Sequence, residues 1–219
     1  VKAVIFDMDG VIVDSERQWK LCEGDLFRRL VPTWTDADHQ KIVGMGVVEL
    51  YHWLFNEYGI KETKENFLAQ CQVLAEEIYG TRVTRTEGIT EFMDFLRKSR
   101  IKVGLASSSP RQWVNIVLER FMLADQFTAL SSGDETPGKT KPEPDLYLLC
   151  AERLGFLPGD CVAIEDSYPG VTAAKAAGMR CAAFRNGHND EQDLSGADYE
   201  FTSFEELIGR FRIRPAARG

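Results

Sequence analysis

The chain lacks most of the features that would assign it to a disulfide-rich, metal-knuckle, membrane or nucleic-acid-binding class. Its five cysteines (Cys22, Cys71, Cys150, Cys161 and Cys181) are odd in number and none forms a C-x-x-C pair. Buried free thiols are therefore expected, rather than a disulfide frame or a zinc site. No apolar stretch reaches transmembrane length and no signal peptide is seen, so the expectation is a soluble, cytoplasmic protein acting as a monomer. Positive charge is also scarce: 26 Lys and Arg face 34 Asp and Glu, for a net charge of −8. That excludes nucleic acid and anionic membrane as expected partners, because both need a positive field. A small anionic substrate remains compatible if cationic groups are concentrated locally. There is no internal repeat or low-complexity tract, and the basic end from Arg212 is read as a solvated tail without a role. The 219 residues, 44% hydrophobic and 27% charged, suit one ordinary domain with room for an insert.

The sharpest signal lies in Asp7-Met8-Asp9-Gly10-Val11-Ile12-Val13-Asp14-Ser15, directly after the apolar run Val1 to Phe6. Side chains alternate along a strand, so a regular strand through Asp9 would hold both carboxylates on one face. Gly10 then permits a sharp turn. Such a pair can supply a nucleophile and a proton donor to one reacting centre.

Five short, nearly continuous apolar runs read as strands covered on both faces: Lys2–Phe6, Lys102–Ala106, Phe127–Leu130, Cys161–Ile164 and Cys181–Phe184. Helical patterns over Pro110–Met122, with Ser109 as its cap, Pro144–Leu154 and Tyr168–Ala177 alternate with them. Tyr199–Phe201 adds a short sixth strand before a last helix, Phe204–Phe211. The alternation predicts an α/β fold, a Rossmann-like parallel sheet flanked by helices. Residues 15–83 break it. Glu16–Leu30, Asp36–Val43, Val47–Tyr58 and Lys64–Tyr79 all show helical spacing. An α-helical cap domain spanning 15–83 is therefore inserted into a core of residues 1–14 and 84–219. It departs just past Asp9, so it is expected above the carboxyl ends of the strands, where ligands bind in open sheets, as a lid.

Four elements fall at predicted strand ends: Asp7 with Asp9; Ser107, with Ser108 and Ser109 behind it; Lys141 in a proline-stiffened loop; and Glu165-Asp166. A hydroxyl beside free N–H groups at a helix start is a ready phosphate site. Four carboxylates meeting at one point need a divalent cation or protons between them. Mg²⁺ takes oxygen ligands, and with Lys141 it would offset the repulsion between a carboxylate nucleophile and an anionic phosphate ester. Asp7 could form an aspartyl-phosphate. Asp9 could protonate the leaving oxygen and then deprotonate the attacking water.

Taken in order, these elements resemble the four motifs of the haloacid dehalogenase superfamily of hydrolases over essentially the whole chain. Asp7–Ser15, Lys141–Asp145 and Glu165–Gly170 are similar to its β-phosphoglucomutase-like and sugar-phosphatase group, which carries a C1-type helical cap. The resemblance implies Asp7 as nucleophile, Asp9 as acid/base, Ser107, Ser108 and Lys141 as phosphate ligands, and Asp7, the Asp9 carbonyl, Asp166 and Glu165 as Mg²⁺ ligands. Asp9 points to phosphate-ester chemistry, since the dehalogenases and phosphonatases lack it. The mutases resembled here carry a His where Trp19 stands and a cap Arg where Val47 stands, and the cap loop Val43–Val47 offers no cation for a second phosphate. A phosphatase acting on a small phosphorylated metabolite such as a sugar phosphate is thus preferred to a phosphomutase. Trp19, Met45 and Arg111 are candidate substrate contacts.

Two other classes compete. A phospho-acceptor signalling domain would hold its phosphate with little turnover, and Asp9 argues against it. Gly133–Thr140 fits the P-loop pattern G-x-x-x-x-G-K-[ST] in full, but an NTPase needs a helix to begin at Lys139-Thr140. Pro142 and Pro144 disfavour that helix, and Asp134 and Glu135 would put negative charge in the phosphate cradle. Gly44-Met45-Gly46 lacks the third glycine of a dinucleotide fingerprint and lies between helices.

Overall fold

The apolar runs become six strands: β1 (Ala3–Phe6), β2 (Lys102–Ser107), β3 (Ala129–Ser132), β4 (Cys161–Glu165), β5 (Arg180–Phe184) and β6 (Tyr199–Phe201). The computed structural model describes residues 1–213, so the tail from Arg214 onward, most of the basic end, lies outside the described residues. All strands pair in parallel in the order β3-β2-β1-β4-β5-β6. β1 is central, with Phe6 level with Leu105 of β2 and Ile164 of β4. The strand order reverses between β1 and β4, which opens a crevice at their carboxyl ends.

Alternation along β1 sends Val4 and Phe6 into one apolar cluster and Ala3 and Ile5 into another. Helix α7 (Asp145–Leu154) and α8 (Tyr168–Ala176) cover the second face through Leu146, Tyr147, Val171 and Ala174. The first face is covered by α5 (Ile89–Lys98), α6 (Arg111–Arg120) and α9 (Phe204–Ile213). There Phe92 meets Phe6 edge-on at 5.9 Å and Phe204 at 5.5 Å. Helix α5 is an element that the sequence analysis leaves unassigned; Phe92, Met93 and Leu96 form its buried face.

Between β1 and α5 the chain builds α1 (Glu16–Leu30), α2 (Asp36–Ile42), α3 (Val47–Tyr58) and α4 (Lys64–Glu77), the helical cap. Its aromatic centre gathers Trp34 with Phe27, Trp53 and Tyr58 at ring distances of 4.6, 6.3 and 6.0 Å. The cap loop rests on the core. A Cβ built on Gly44 would meet Ser167 Oγ at 3.1 Å, and one on Gly46 would meet Thr140 Oγ1 at 3.2 Å and the Ser108 carbonyl at 3.3 Å. Met8, Val13, Tyr79 and Val83 join the cap to the first face of the sheet in one apolar cluster.

β1 ends at Phe6, as the apolar run predicts: the Asp7 N–H still donates to Ile164 C=O (2.9 Å), but Ile12 and Val13 fold back to donate to Met8 C=O at 2.8 and 3.2 Å. Two local expectations are corrected. β3 starts at Ala129, not Phe127, because Ala124–Gln126 forms a 3₁₀ turn and the Phe127 ring packs edge-on to Phe6. Finally, α4 ends at Glu77 and continues as a widened π-type turn, Ile78–Arg82. Arg120 stabilises that turn by donating to the carbonyls of Tyr79 (2.8 Å) and Thr81 (3.1 Å).

Candidate active site

The floor of the crevice is a buried charge cluster. Lys141, delivered by the loop before α7, places its ammonium against Asp7 at the end of β1 and 2.5 Å from Glu165 Oε1 at the end of β4. All three side chains are almost completely buried. Glu165 is saturated: Tyr147 OH donates to Oε1 at 2.6 Å, while the Asp166 N–H and Ser167 Oγ donate to Oε2 at 3.2 Å each. Asp166 Oδ2 accepts from Asn186 Nδ2 at 2.9 Å, and Asn186 also donates to the Gly10 carbonyl at 3.1 Å. Asn189 ties the Asp166 carbonyl (2.6 Å) to that of Phe184 (2.8 Å).

Two glycines make room for these carboxylates. At Gly10, whose φ is +71°, a Cβ would lie 1.9 Å from Asp166 Oδ2; at Gly170 it would lie 1.9 Å from the Glu165 carboxyl. Neither close approach tolerates a side chain.

Burial raises Asp7 above the ordinary carboxylate range, against the pull of Lys141, and Glu165 and Asp9 add to the rise. Asp166 is raised well above its usual value by burial, then by Asp7, Glu16 and Glu165. Burial works against the Lys141 ammonium, yet Asp7 and Glu165 overcome it and hold the charge more firmly than in water. One lysine thus shares a dry space with Asp7, Glu165 and Asp166, and oxygens from these three carboxylates lie within 4.8 Å of one another. Negative charge in excess at such density calls for a cation or protons.

Asp9 stands beside this floor, held by three hydroxyls. Ser15 Oγ and Tyr79 OH donate to Oδ1, each at 2.6 Å, and Ser109 Oγ donates to Oδ2 at 2.9 Å. Burial, then Asp9, raises the Tyr79 phenol well above its usual value, so it remains a donor. Trp19 Nε1 in turn donates to Tyr79 OH at 3.0 Å. Ser109 is therefore a partner of Asp9, and α6 begins at Arg111 with Pro110 at its N-cap, without the expected serine cap.

Asp7, Asp9, Lys141 and Asp166 line a cavity of about 90 Å³ whose ceiling is the cap. Ser108 lines it too, its buried Oγ without a partner among the described residues. Ser107 lies beneath, outside the lining, and its Oγ accepts the Ser109 N–H at 3.1 Å. Trp19 and Met45 face the cavity as expected of substrate contacts. Arg111 does not, and this expectation is corrected. Its guanidinium lies 2.5 Å from Glu135 Oε2, while Glu135 Oε1 binds Arg153, and the Arg111 backbone N–H donates to Asp134 Oδ1. Glu135 is lowered to about 2 by Arg153 and then, against burial, by Ser132 and Arg111, so the pair is a stable ion cluster away from the crevice. The same region disposes of the P-loop alternative: Gly133–Glu135 is a 3₁₀ turn, Lys139 pairs with Asp145 at 3.3 Å, and no helix begins before Asp145.

Several cavity residues were not expected from the sequence. Glu16 and Glu23 stand three residues before and four after the expected Trp19 on α1, a polar-aromatic stripe that could have been read as one helix face. Tyr79, Asn186 and Asn189 carry no local signal, because each acts through a partner distant in sequence.

Residues 1–178 match the haloacid dehalogenase-like hydrolase family. The chain belongs to that family. It is 36% identical to hexitol phosphatase B of Escherichia coli over 96% of both chains, and 33% identical to the phosphorylated carbohydrates phosphatase of Thermotoga maritima over 82% of each. The crystal structure of a putative β-phosphoglucomutase from Thermotoga maritima superposes with a TM-score of 0.72 at 31% identity, covering 98% of this chain and 100% of that one. The chain is thus an enzyme of a hydrolase family, with phosphatases among its relatives. No helix among the described residues is long and apolar enough to cross a membrane.

Proposed function

We propose that this haloacid dehalogenase-like hydrolase releases phosphate from a small sugar phosphate through a phosphorylated Asp7, with Mg²⁺ as cofactor. The observation that carries the reading is the buried meeting of Asp7, Lys141, Glu165 and Asp166 beneath a cavity that also holds Asp9. The carboxylates of Asp7 and Asp166, with Glu165 adjoining and the Asp9 carbonyl nearby in sequence, are the oxygen donors that suit Mg²⁺. When bound, the cation offsets the charge between these carboxylates and the substrate phosphate.

In this scheme Asp7 Oδ attacks phosphorus while Lys141 and Ser108 hold phosphate oxygens. The bond to the ester oxygen breaks, and a protonated Asp9 gives that oxygen its proton. Asp9 then takes a proton from water as the water oxygen attacks the phosphorus and frees Asp7. Lys141 is the only lysine, and no arginine is present, among the described residues lining the cavity. A mutase must hold a second phosphate, so this charge distribution favours hydrolysis over transfer between two hydroxyls.

The reading is tested by phosphate release from a panel of sugar phosphates, with Mg²⁺ and with chelator, in the wild type and in Asp7→Asn and Asp9→Asn. Mg²⁺-dependent release lost in both variants is expected. Undiminished turnover in Asp7→Asn overturns the mechanism, and interconversion of two sugar phosphates without free phosphate favours the mutase.

A further inference from the structure

On the cap side of the cavity, where α1 and α2 contribute side chains, there is a polar couple in apolar surroundings. Glu23 is 6% exposed and His39 7%, and both line the cavity among Leu26, Phe27 and Ile42. Glu23 Oε1 lies 2.6 Å from His39 Nδ1, yet it has no aligned hydrogen-bond donor among the described residues. Buried side-chain atoms normally find partners, and an orphan facing a cavity marks a place where a partner belongs.

The four such orphans among the described residues include two in this cavity: Ser108 Oγ on the floor and Glu23 Oε1 in the ceiling. A ligand spanning the cavity would reach both. Ser108 and Lys141 line the same cavity and offer a hydroxyl and an ammonium to a phosphate. Glu23 requires a donor, which a hydroxyl supplies and a phosphate or carboxylate does not. A second anionic group at this end would meet the Glu23 carboxylate and no lysine or arginine among the described lining residues.

We propose that Glu23 and His39 read the substrate's hydroxyl groups, selecting a monophosphate with a neutral polyhydroxylated tail and rejecting substrates with a second anionic group. The proposal rests on the phosphatase reading above. It adds the residues that select, and the sign of the charge they exclude.

Four probes separate the two claims: glucitol 6-phosphate, phosphoglycolate, glucose 1,6-bisphosphate, and acetyl phosphate, which has no tail to read. In the wild type with Mg²⁺, kcat/KM for glucitol 6-phosphate should exceed that for phosphoglycolate and for the bisphosphate by at least tenfold. In Glu23→Leu and His39→Leu the ratio of kcat/KM for glucitol 6-phosphate to that for acetyl phosphate should fall at least tenfold, chiefly through KM. Glu23→Gln, which still hydrogen-bonds but carries no charge, should recover most of that ratio and relax the rejection of the bisphosphate. A wild type that prefers either doubly anionic substrate overturns the proposal, whether or not the leucine variants fold. So does an unchanged ratio in folded leucine variants. In both cases acetyl phosphate hydrolysis that depends on Asp7 leaves the phosphatase reading standing, whereas a wild type inert towards all four probes removes both.

Discussion

The floor and the ceiling of the cavity are built by different rules. The floor comes from strand ends: Asp7 follows β1, Glu165 closes β4, and Lys141 is held between them in a buried charge cluster with every Glu165 oxygen engaged. The ceiling comes from helix faces, where aromatic and apolar side chains surround a few polar atoms, one of them unpartnered. A saturated, desolvated cluster tolerates little change, because removing one member leaves the others charged and buried. A helix face can exchange side chains with less disturbance, since each contributes mainly its own surface. On the proposed reading, chemistry belongs to the floor and choice of substrate to the ceiling, and Tyr79 on the widened turn at the end of α4 donates to Asp9 between them.

The largest effect is expected at the floor. Asp7→Asn should lower kcat by about four orders of magnitude or more, as expected when a nucleophile is removed, while circular dichroism shows the fold retained. Activity near wild type would mean that the floor does not carry the chemistry.

Gly170→Ala should reveal how little slack the floor has. The new methyl would collide with the Glu165 carboxyl, so overpacking should cost about 1–3 kcal/mol in urea unfolding and displace the partner of Lys141, lowering kcat as well. Wild-type stability in this variant would show that the cluster yields as readily as the ceiling.

Tyr79→Phe probes the bridge. It removes one of three donors to Asp9 while keeping the ring against Trp19 and Trp113. Loss of a hydrogen bond to a charged group should reduce kcat about tenfold and move the pH–rate profile, with KM little changed. An unmoved profile would reduce Tyr79 to packing.

A fourth expectation concerns pH. Asp7, Asp166 and Glu16 have raised folded values, Glu16 to about 8, whereas unfolded carboxylates titrate near 4. Between about pH 4 and about pH 8 the folded state binds more protons than the unfolded one, so their contribution to stability declines as pH rises through that window. Without divalent cation, Tm should fall between pH 5 and pH 8. Mg²⁺ should restore it, with a larger increment at pH 8, where it does not compete with protons. Equal increments at the two pH values would separate the cation from these carboxylates.

The smallest effect is expected outside the cavity. Arg111→Ala should leave kcat/KM within about twofold and change stability by no more than about 1 kcal/mol, since it breaks a partly exposed ion pair and a long hydrogen bond to the Leu130 carbonyl, outside the cavity lining. A marked rise in KM would return Arg111 to the substrate site.

What the amino-acid sequence by itself determined was the alternation of buried strands with helices, the helical insert after β1, the strand-end positions of Asp7 and the Glu165-Asp166 pair, and the proline-stiffened loop that carries Lys141. These depend on local rules: continuous apolar runs, helical spacing, and proline and glycine at turns. The family resemblance in the spacing of the motifs pointed to the same residues. Tertiary structure alone decided which side chains serve them. Asp9 finds its donors at positions 15, 79 and 109, Asp166 finds Asn186, and Arg111 is drawn to Glu135 and away from the crevice. Periodicity reveals which face a residue occupies, but a hydrogen-bond partner a hundred residues away depends on how those faces pack. That separation is why the strand ends were legible and the network around them was not.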